Sequence, residues 1–164
     1  MSSFTQLGPD FYGEAESDGS GIVSVSSDGS TLAIGAIAND GNGNNSGHTR
    51  IYKWNGTAWN QRGSDIDGEA NNDENGRSVS LSSDGTIDAI SSPPTIFSNR
   101  RGQTRLYQWS GSAWVQIGSD VDGEANNDQS GYLVSLSSDG STVAIGANHN
   151  DGNGRSSGHV RVFK

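Results

Sequence analysis

Short runs of alternating apolar and polar residues are spread along the whole chain. In the run 78–82, Ser-Val-Ser-Leu-Ser, the apolar side chains fall on one side of an extended chain and the serines on the other. This period of two is typical of β-strands. No window has the i, i+3, i+4, i+7 spacing of an amphipathic helix, and the 24 glycines among 164 residues would interrupt any helix. The pattern predicts an all-β protein with twelve strands.

The strand pattern repeats. Positions 63–73 and 118–128 have the same sequence except for Ile66 against Val121, and they lie 55 residues apart (118 − 63). Three such units would need 165 residues and the chain has 164, so almost all of it is repeat. A repeat near this length indicates an array of supersecondary units. We predict a single repeat domain, residues 1–164, with four-stranded units at about 4–59, 60–114 and 115–164.

Turn residues separate the strands within each unit. Asp-Gly pairs stand at 28–29, 84–85 and 139–140, and Asn-Gly and Ser-Gly pairs stand at 55–56 and 110–111. Asp and Asn tolerate a positive φ and Gly adopts it freely, so these pairs predict hairpins. The remaining connections are longer and polar, as in 39–47 and 64–75.

Composition excludes several classes of function. Only 30% of the residues are hydrophobic, but they stand at regular strand positions, which argues against disorder. The net charge of −9 disfavours nucleic acid or an anionic membrane as a partner, because both need clustered Lys and Arg. The chain has no cysteine, so disulfides and thiolate metal sites are excluded. No signal peptide and no transmembrane segment is recognised in the sequence.

Several short motifs resemble a known family. A glycine-led strand start (Gly76 to Val79), an Asp-Gly turn, the run Val143-Ala-Ile-Gly-Ala147 and the run Gly158-His-Val-Arg-Val162 are similar to the FG-GAP repeats of integrin α-chain β-propellers. The resemblance covers about the whole chain. It implies a β-propeller of three four-stranded blades per chain and a role in adhesion or ligand binding. A β-trefoil is the alternative three-fold architecture.

The chain departs from the family pattern at three points. The phenylalanine before the glycine is Asn75 or Ser130 here. The proline of the Gly-Ala-Pro motif survives only as Pro93. The acidic calcium loop of the family is replaced by Ser-Ser-Asp-Gly turns, so calcium at that family position does not carry over.

The resemblance also implies an assembly. Its strand order makes Phe4–Gly8 an outer strand without a blade and leaves the blade that ends at 160–164 without an outer strand. Three blades are too few to close a ring, whereas propellers of about four to eight blades close. We therefore predict a six-bladed homodimer in which each Phe4–Gly8 strand swaps onto the C-terminal blade of its partner.

The crossovers between units suggest a candidate metal site. Acidic side chains recur at alternate positions in both crossovers, a spacing that lets oxygens converge on Ca²⁺. Gly stands at the fourth position and no glutamate follows at the twelfth, so neither crossover is an EF-hand, and a loop that caps its own backbone is the competing interpretation. The candidate ligands are Asp65, Asp67, Glu69, Asp73, Asp120, Asp122, Glu124 and Asp128.

Two glycine- and asparagine-rich loops, 40–48 and 151–159, should leave the same propeller face as the crossovers. Loops on a rigid scaffold often carry function, although Asn and Gly are also what tight loops need. The candidate ligand-binding residues are Asp40, Asn42, His48, Asp151, Asn153 and His159.

The second unit differs from the others. Asp88 stands where the other units have Leu32 and Val143, and an acid buried there would need a partner, for which Arg100 or Arg101 is available. The four tryptophans flank the outer hairpins, where they should pack between neighbouring units with arginine stacked on them.

No nucleophile, base and orienting acid recur together, so we expect a non-enzymatic module that binds a carbohydrate or a protein. A glycoside hydrolase or lyase that uses carboxylates such as Asp65 and Asp67, and a purely structural repeat segment, are the alternatives. The family resemblance implies an extracellular or cell-surface location.

Overall fold

A computed structural model describes residues 3–95 and 99–164. The described residues contain no helix and form three antiparallel sheets, one for each repeat, with no closed barrel. The prediction of an all-β protein is therefore confirmed.

Each sheet is built from strands that follow one another along the chain. Sheet 1 has the order β1-β2-β3-β4 with the short β5 also on β3, sheet 2 has the order β6-β7-β8-β9, and sheet 3 has the order β10-β11-β12. The strands are β1 Ser20–Val25, β2 Thr31–Ala36, β3 His48–Trp54, β4 Trp59–Gln61, β5 Ile66–Asp67, β6 Ser78–Leu81, β7 Ile87–Ser92, β8 Gln103–Trp109, β9 Trp114–Asp122, β10 Ser130–Leu136, β11 Val143–Ala147 and β12 His159–Phe163.

The Asp-Gly turns form the hairpins that the sequence predicts. The glycines Gly29, Gly85 and Gly140 have φ of 70°, 66° and 71°. In the first turn Asp28 accepts hydrogen bonds from the Ser26 hydroxyl (2.6 Å) and from the Ser30 N–H (2.9 Å). The same contacts recur at Asp84 and Asp139, and the Ser137 hydroxyl with the Ser141 N–H lowers the pKa of Asp139 to about 2. The carboxylates of these turns thus already accept hydrogen bonds from within their own turn.

The sheets stack through their first strands, with β6 packed between β1 and β10. Serine hydroxyls of one strand accept hydrogen bonds from backbone N–H groups of the next sheet's strand. The Leu81 N–H donates to Ser24 Oγ (3.0 Å) and the Leu136 N–H donates to Ser80 Oγ (2.9 Å). The turns are linked as well, because the Ser27 N–H donates to Ser83 O (2.9 Å) and the Ser83 N–H to Ser138 O (2.8 Å). Regular polar contacts therefore connect all three units.

Apolar residues fill the two spaces between the sheets. Between sheets 1 and 2 lie Ala33, Ile51, Ile66, Val79, Leu81 and Ile90. Between sheets 2 and 3 lie Ala89, Val143 and Ile145, with Leu106, Val134, Leu136 and Phe163 packed against them. Small residues allow the sheets to approach closely: a Cβ added to Gly35 would lie 2.1 Å from the carbonyl oxygen of Gly76. This explains how a chain poor in large hydrophobic residues still has a core.

The N-terminal segment differs from the prediction. Residues 4–8 form no strand in the single chain, and Phe4 is fully exposed. A strand needs a free edge beside it, and the edge that the prediction assigns to this segment belongs to a second copy. β5, which pairs with the start of β3, was not predicted as a strand of its own.

The tryptophans pack in pairs at the outer hairpins. The ring centroids of Trp54 and Trp59 are 5.4 Å apart, and those of Trp109 and Trp114 are 5.6 Å apart. The guanidinium of Arg62, which follows β4 of sheet 1, lies 4.8 Å from the Trp109 ring of sheet 2, so arginine does stack on tryptophan between neighbouring sheets.

Candidate functional site: a histidine between two carboxylates

The candidate site lies where β3 begins, between the N-terminal segment and the first crossover. His48 is the first residue of β3 and only 1% exposed. β5 pairs with this end of β3, with Asp67 opposite His48, and so brings the crossover alongside it. On the other side, Asp18 fixes the preceding segment by accepting the N–H groups of Glu14 (2.8 Å) and Ala15 (2.9 Å).

Two carboxylates face the imidazole. His48 Nδ1 lies 3.5 Å from Asp65 Oδ2 and 3.9 Å from Glu14 Oε2. One ligand-type atom from each of these residues lies within 4.8 Å of the others, a combination found nowhere else among residues 3–95 and 99–164. Arg50 donates to Glu14 Oε1 (3.1 Å), so one oxygen of Glu14 pairs with the guanidinium and the other faces His48. The site thus combines a nitrogen donor with two oxygen donors.

The local field at this site is negative. The Asp67 side chain is exposed, but desolvation by the surrounding protein atoms, followed by the charges of Asp65 and Glu14, raises its pKa above the usual range, although His48 opposes the shift. An excess of negative charge around a nitrogen donor favours a cation there.

In the second repeat a single arginine bridges the two equivalent carboxylates. Gln103 replaces His48, and Arg105, only 2% exposed, bridges the two carboxylates that correspond to Glu14 and Asp65. Its Nε donates to Asp120 (3.0 Å), and its Nη2 lies 2.5 Å from Glu69. Burial alone would lower the pKa of Arg105, but the hydrogen bond and the two carboxylate charges raise it. Arg105 thus pairs with both acids, whereas among the described ion pairs its counterpart Arg50 pairs with Glu14 alone.

The third repeat holds only part of the same arrangement. His159 Nδ1 lies 3.7 Å from Glu124 Oε2, and Arg161 lies 3.8 Å from Glu124 Oε1. By the 55-residue period, the acid that corresponds to Asp65 and Asp120 is Asp10, which lies at the far end of the chain. Gln6 donates to Asp10 (2.8 Å), as Gln61 does to Asp65 (2.5 Å) and Gln116 to Asp120 (2.7 Å).

The eight acids expected to bind calcium are divided among separate contacts. Asp65, Glu69, Asp120 and Glu124 contribute to the carboxylate pairs described above. Asp73 accepts the N–H groups of residues 69 and 70 (both 2.8 Å) and pairs with Arg100, while Asp128 accepts the Asn150 amide (2.7 Å). Asp67 and Asp122 are exposed strand residues. For Asp73, the structure matches the competing interpretation of a loop that caps its own backbone.

The loop residues expected to bind a ligand mostly stabilise the loops themselves. Asp40 accepts the Asn45 N–H (2.7 Å), Asp151 accepts the Ser156 N–H (2.6 Å), and Asn42 donates to Gly68 O (2.8 Å). Asn153 is exposed, and its N–H donates to Ser157 (3.3 Å). His48 is buried rather than on the rim, and His159 is half-buried. The sequence did not single out Glu14, Arg50 or Arg105, although Glu14, Glu69 and Glu124 recur at the repeat period.

The expected pairing of Asp88 with an arginine of its own unit is wrong. Asp88 is fully buried, and its only hydrogen bond in the described structure is from the Ser80 N–H to Oδ1 (3.2 Å). Arg100 pairs with Asp73 instead. In the first and third repeats Asn39 and Asn150 donate to Asp18 and Asp128, the acids equivalent to Asp73. In the second repeat Arg100, from another position of the loop, makes the contact with Asp73.

We predict that Arg100→Ala destabilises the chain through Asp73 rather than through Asp88. Loss of the guanidinium leaves a buried carboxylate with backbone partners alone, a change that costs about 1–3 kcal/mol of unfolding free energy. Urea titration measures it, and Arg101→Ala is the matched control, since Arg101 is exposed. If Arg100→Ala and Arg101→Ala have equal, negligible effects, the ion pair contributes nothing.

Comparison with known proteins adds little about function. No family model and no curated protein matches the chain. Among solved structures, a prolyl endopeptidase is similar with 16% sequence identity and a TM-score of 0.49, over 88% of this chain and 20% of that one. This chain therefore spans about a fifth of that protein's length. No helix long and apolar enough to cross a membrane occurs in the described residues.

Proposed function

We propose that two copies of the chain close into a six-bladed β-propeller, which serves as a non-enzymatic binding module. One observation carries the proposal: the two outermost sheet faces are the same two kinds of face that already meet twice inside the chain. We call them face A, on sheet 1, and face B, on sheet 3.

Face A consists of Val23, Val25 and the half-buried Leu32, with the buried Ile34 beside them. Val23 and Val25 are 62% and 58% exposed. Their counterparts in sheet 2, Val79 and Leu81, are 7% and 8% exposed because they pack against sheet 1. The exposure of face A therefore reflects the lack of a neighbouring sheet and not an unusual composition.

Face B consists of Leu133, Gly146, Val160 and Val162. The three large residues are 65%, 66% and 65% exposed. Leu133, Gly146 and Val160 lie opposite one another on successive strands, as do Ile22, Gly35 and Thr49 in sheet 1. In sheet 1 that row receives Gly76 of sheet 2. Exposed apolar residues that extend over a sheet face mark an interaction surface, and the internal contacts favour face A of a second copy as the occupant.

The N-terminal segment supports the same assembly. Trp59 Nε1 donates to Leu7 O (2.9 Å), as Trp114 Nε1 donates to Arg62 O (2.7 Å) one repeat later. A Cβ on Gly8 would contact Trp54 and Trp59, as one on Gly63 would contact Trp109 and Trp114. Residues 6–10 thus lie on sheet 1 where the outer strand of a preceding blade would lie. In the ring, this position would be beside β12 of the second copy.

A groove lined by the segments 74–77, 93–95, 129–132 and 148–149 offers a place for a ligand. It has a volume of about 500 Å³ and lies between sheets 2 and 3. The Arg77 guanidinium stacks 4.9 Å from the Tyr132 ring, and Glu74, Gln129, Asn148 and His149 add polar groups. An aromatic ring beside several hydrogen-bonding groups suits a carbohydrate.

A glycan array tests whether this groove binds a carbohydrate. Tyr132→Ala should abolish any signal, and a signal that survives this change would place the ligand elsewhere.

We predict a solution mass of twice 17.1 kDa. Light scattering measures it directly. Val162→Asp, which places a charge on face B, should give monomers or aggregates, whereas Thr57→Asp in the exposed β3–β4 hairpin should leave the mass unchanged. Val25→Asp, which places a charge on face A, should likewise give monomers or aggregates.

Mixing the two failing variants provides a stricter test. Each retains one intact face, so together they can form one good A–B junction and should recover part of the dimer. A stable 17.1 kDa monomer of the unmodified chain would refute the ring.

A further inference from the structure

We propose that Glu14, His48 and Asp65 bind a divalent transition-metal ion, and that a second ion binds between Glu124 and His159 of one copy and Asp10 of the other. The first site lies within one chain and stands independently of the dimer. The second site rests on the proposed ring.

The donor set determines the class of ion. One imidazole nitrogen with two carboxylate oxygens suits Zn²⁺, Co²⁺, Ni²⁺ or Mn²⁺. Calcium is disfavoured because it takes six to eight oxygen ligands. Donors bound to zinc at 2.0–2.2 Å stand about 3.4 Å apart in a tetrahedral site. The distances from Nδ1 of His48 to Asp65 (3.5 Å) and to Glu14 (3.9 Å) are close to this separation.

The burial of His48 is the independent observation that points to a ligand. The side chain is 99% buried (1% exposed), and its Nδ1 faces two carboxylates without a hydrogen bond to either in the described structure. The buried atom without a hydrogen-bond partner there is Nε2, whereas Nδ1 lies at ion-pair distance from both carboxylates. A buried imidazole normally has its polar atoms satisfied. A cation between Nδ1 and the two carboxylates would satisfy the inward-facing nitrogen.

The second repeat serves as an internal control. The same two carboxylates occur there, but glutamine replaces histidine and the Arg105 guanidinium bridges the acids. The protein thus places a positive charge between these carboxylates without a histidine. In the first repeat the equivalent arginine, Arg50, pairs with Glu14 (3.1 Å), and among the described residues the only ion pair of Asp65 is with His48. The place between His48, Asp65 and the second oxygen of Glu14 is where the proposed ion would bind.

The third repeat locates the junction site. Glu124 and His159 are already in place, 3.7 Å apart, but the matching acid is Asp10. The side chain of Asp10 is exposed and held by Gln6 and Tyr12. If residues 6–10 lie beside β12 of the second copy, Asp10 takes the position that Asp65 has relative to His48. The ion would then fasten one copy to the other.

The experiment is a titration of the metal-free full chain with Co²⁺ and with Zn²⁺. Co²⁺ absorbance reports the nitrogen- and oxygen-bound ion, and calorimetry gives the stoichiometry. We expect two ions per chain in the dimer. His48→Gln should remove one ion and His159→Gln the other, with at least about tenfold weaker binding at the altered site. Glutamine already occupies the equivalent position 103, so these variants should fold, and circular dichroism checks that they do.

His149→Gln is the matched control, since His149 is the only other histidine of the chain. It should keep both ions. Absence of binding at millimolar Zn²⁺ and Co²⁺, or full stoichiometry in folded His48→Gln, would overturn the proposal. A monomer that binds one ion, lost in His48→Gln, would confirm the first site and refute the junction site together with the ring.

Discussion

Asp88→Val should stabilise the protein at neutral pH and remove most of a fall in stability between about pH 4 and pH 8. Asp88 is fully buried on the sheet face that packs against sheet 1, opposite Leu81 and Tyr107 on its neighbouring strands. Burial raises its pKa to about 8, although the hydrogen bond from Ser80 opposes the shift. The third repeat has Val143 at this position, 3% exposed, so valine fits.

The sign follows from the protons bound in each state. Below about pH 4 the carboxyl is protonated in both folded and unfolded chains and has no effect on the pH dependence. Between about pH 4 and pH 8 the folded chain keeps the proton and the unfolded chain releases it, so stability falls by about 1.4 kcal/mol per pH unit. Above pH 8 both states are ionised and the fall ends. The whole window amounts to a loss on the order of 5 kcal/mol.

Guanidinium unfolding at pH 5, 6, 7 and 8, at one protein concentration, measures the effect. Asp88→Val should become more stable than the unmodified chain as pH rises. Asp88→Asn is the matched control: it removes the titration but keeps a buried polar group, so its pH dependence should flatten without the gain from apolar burial. Parallel curves for the unmodified chain and Asp88→Val would show that Asp88 does not titrate in this range.

Gly35→Ala should severely destabilise or unfold the chain, whereas Gly146→Ala should leave each chain folded. The two glycines occupy equivalent positions in sheets 1 and 3. A Cβ on Gly35 would lie 2.1 Å from the Gly76 carbonyl oxygen, a backbone atom that cannot move without separating the sheets. A Cβ on Gly146 would have only Leu133 O nearby, at 3.6 Å. Neither glycine has a positive φ, so the difference is steric rather than conformational.

Thermal unfolding of both variants measures the contrast, and overpacking of this kind costs about 1–3 kcal/mol or more. Gly146→Ala also bears on the ring, because face B should meet a second copy as closely as sheet 1 meets sheet 2. The variant should therefore fold but dimerise poorly. Equal stability of the two variants would mean that sheets 1 and 2 are not held at the described distance.

The sequence predicted the sheets well because their signals are local. Alternation in Ser78–Ser82 and the Asp-Gly pairs depend on neighbouring residues, and the repeat confirms each signal three times. The contacts of the site depend on which loops meet in space, and the alternation of apolar and polar residues carries no information about that. Arg100 was assigned to Asp88 because both belong to one unit, but the sheet buries Asp88 away from the loop that carries Arg100. The acids at alternate positions diverge because Asp73 turns back onto its own backbone.

The candidate site was only partly predictable for the same reason. His48 was recognised as a repeated residue, but its placement with Glu14 and Asp65 depends on β5 and on the bonds of Asp18, which connect distant segments. A comparison of positions 55 residues apart would have singled out these acids, because Glu14 recurs as Glu69 and Glu124 and Asp65 recurs as Asp120. Fully buried His48 shows that a glycine-rich loop can end in the core.

The difference between face A and face B has a further consequence. Because the two faces are not alike, each contact in the proposed ring would join the head of one chain to the tail of the next, and the chemistry of the contact would set no limit on growth. Only the rotation from sheet to sheet would stop growth of the assembly, by bringing the last face back to the first. A change in the inclination of one sheet would therefore turn a finite particle into a polymer. The linked turns at Ser27, Ser83 and Ser138 help to set that inclination, so we expect insertions beside them to be the variants that form fibres.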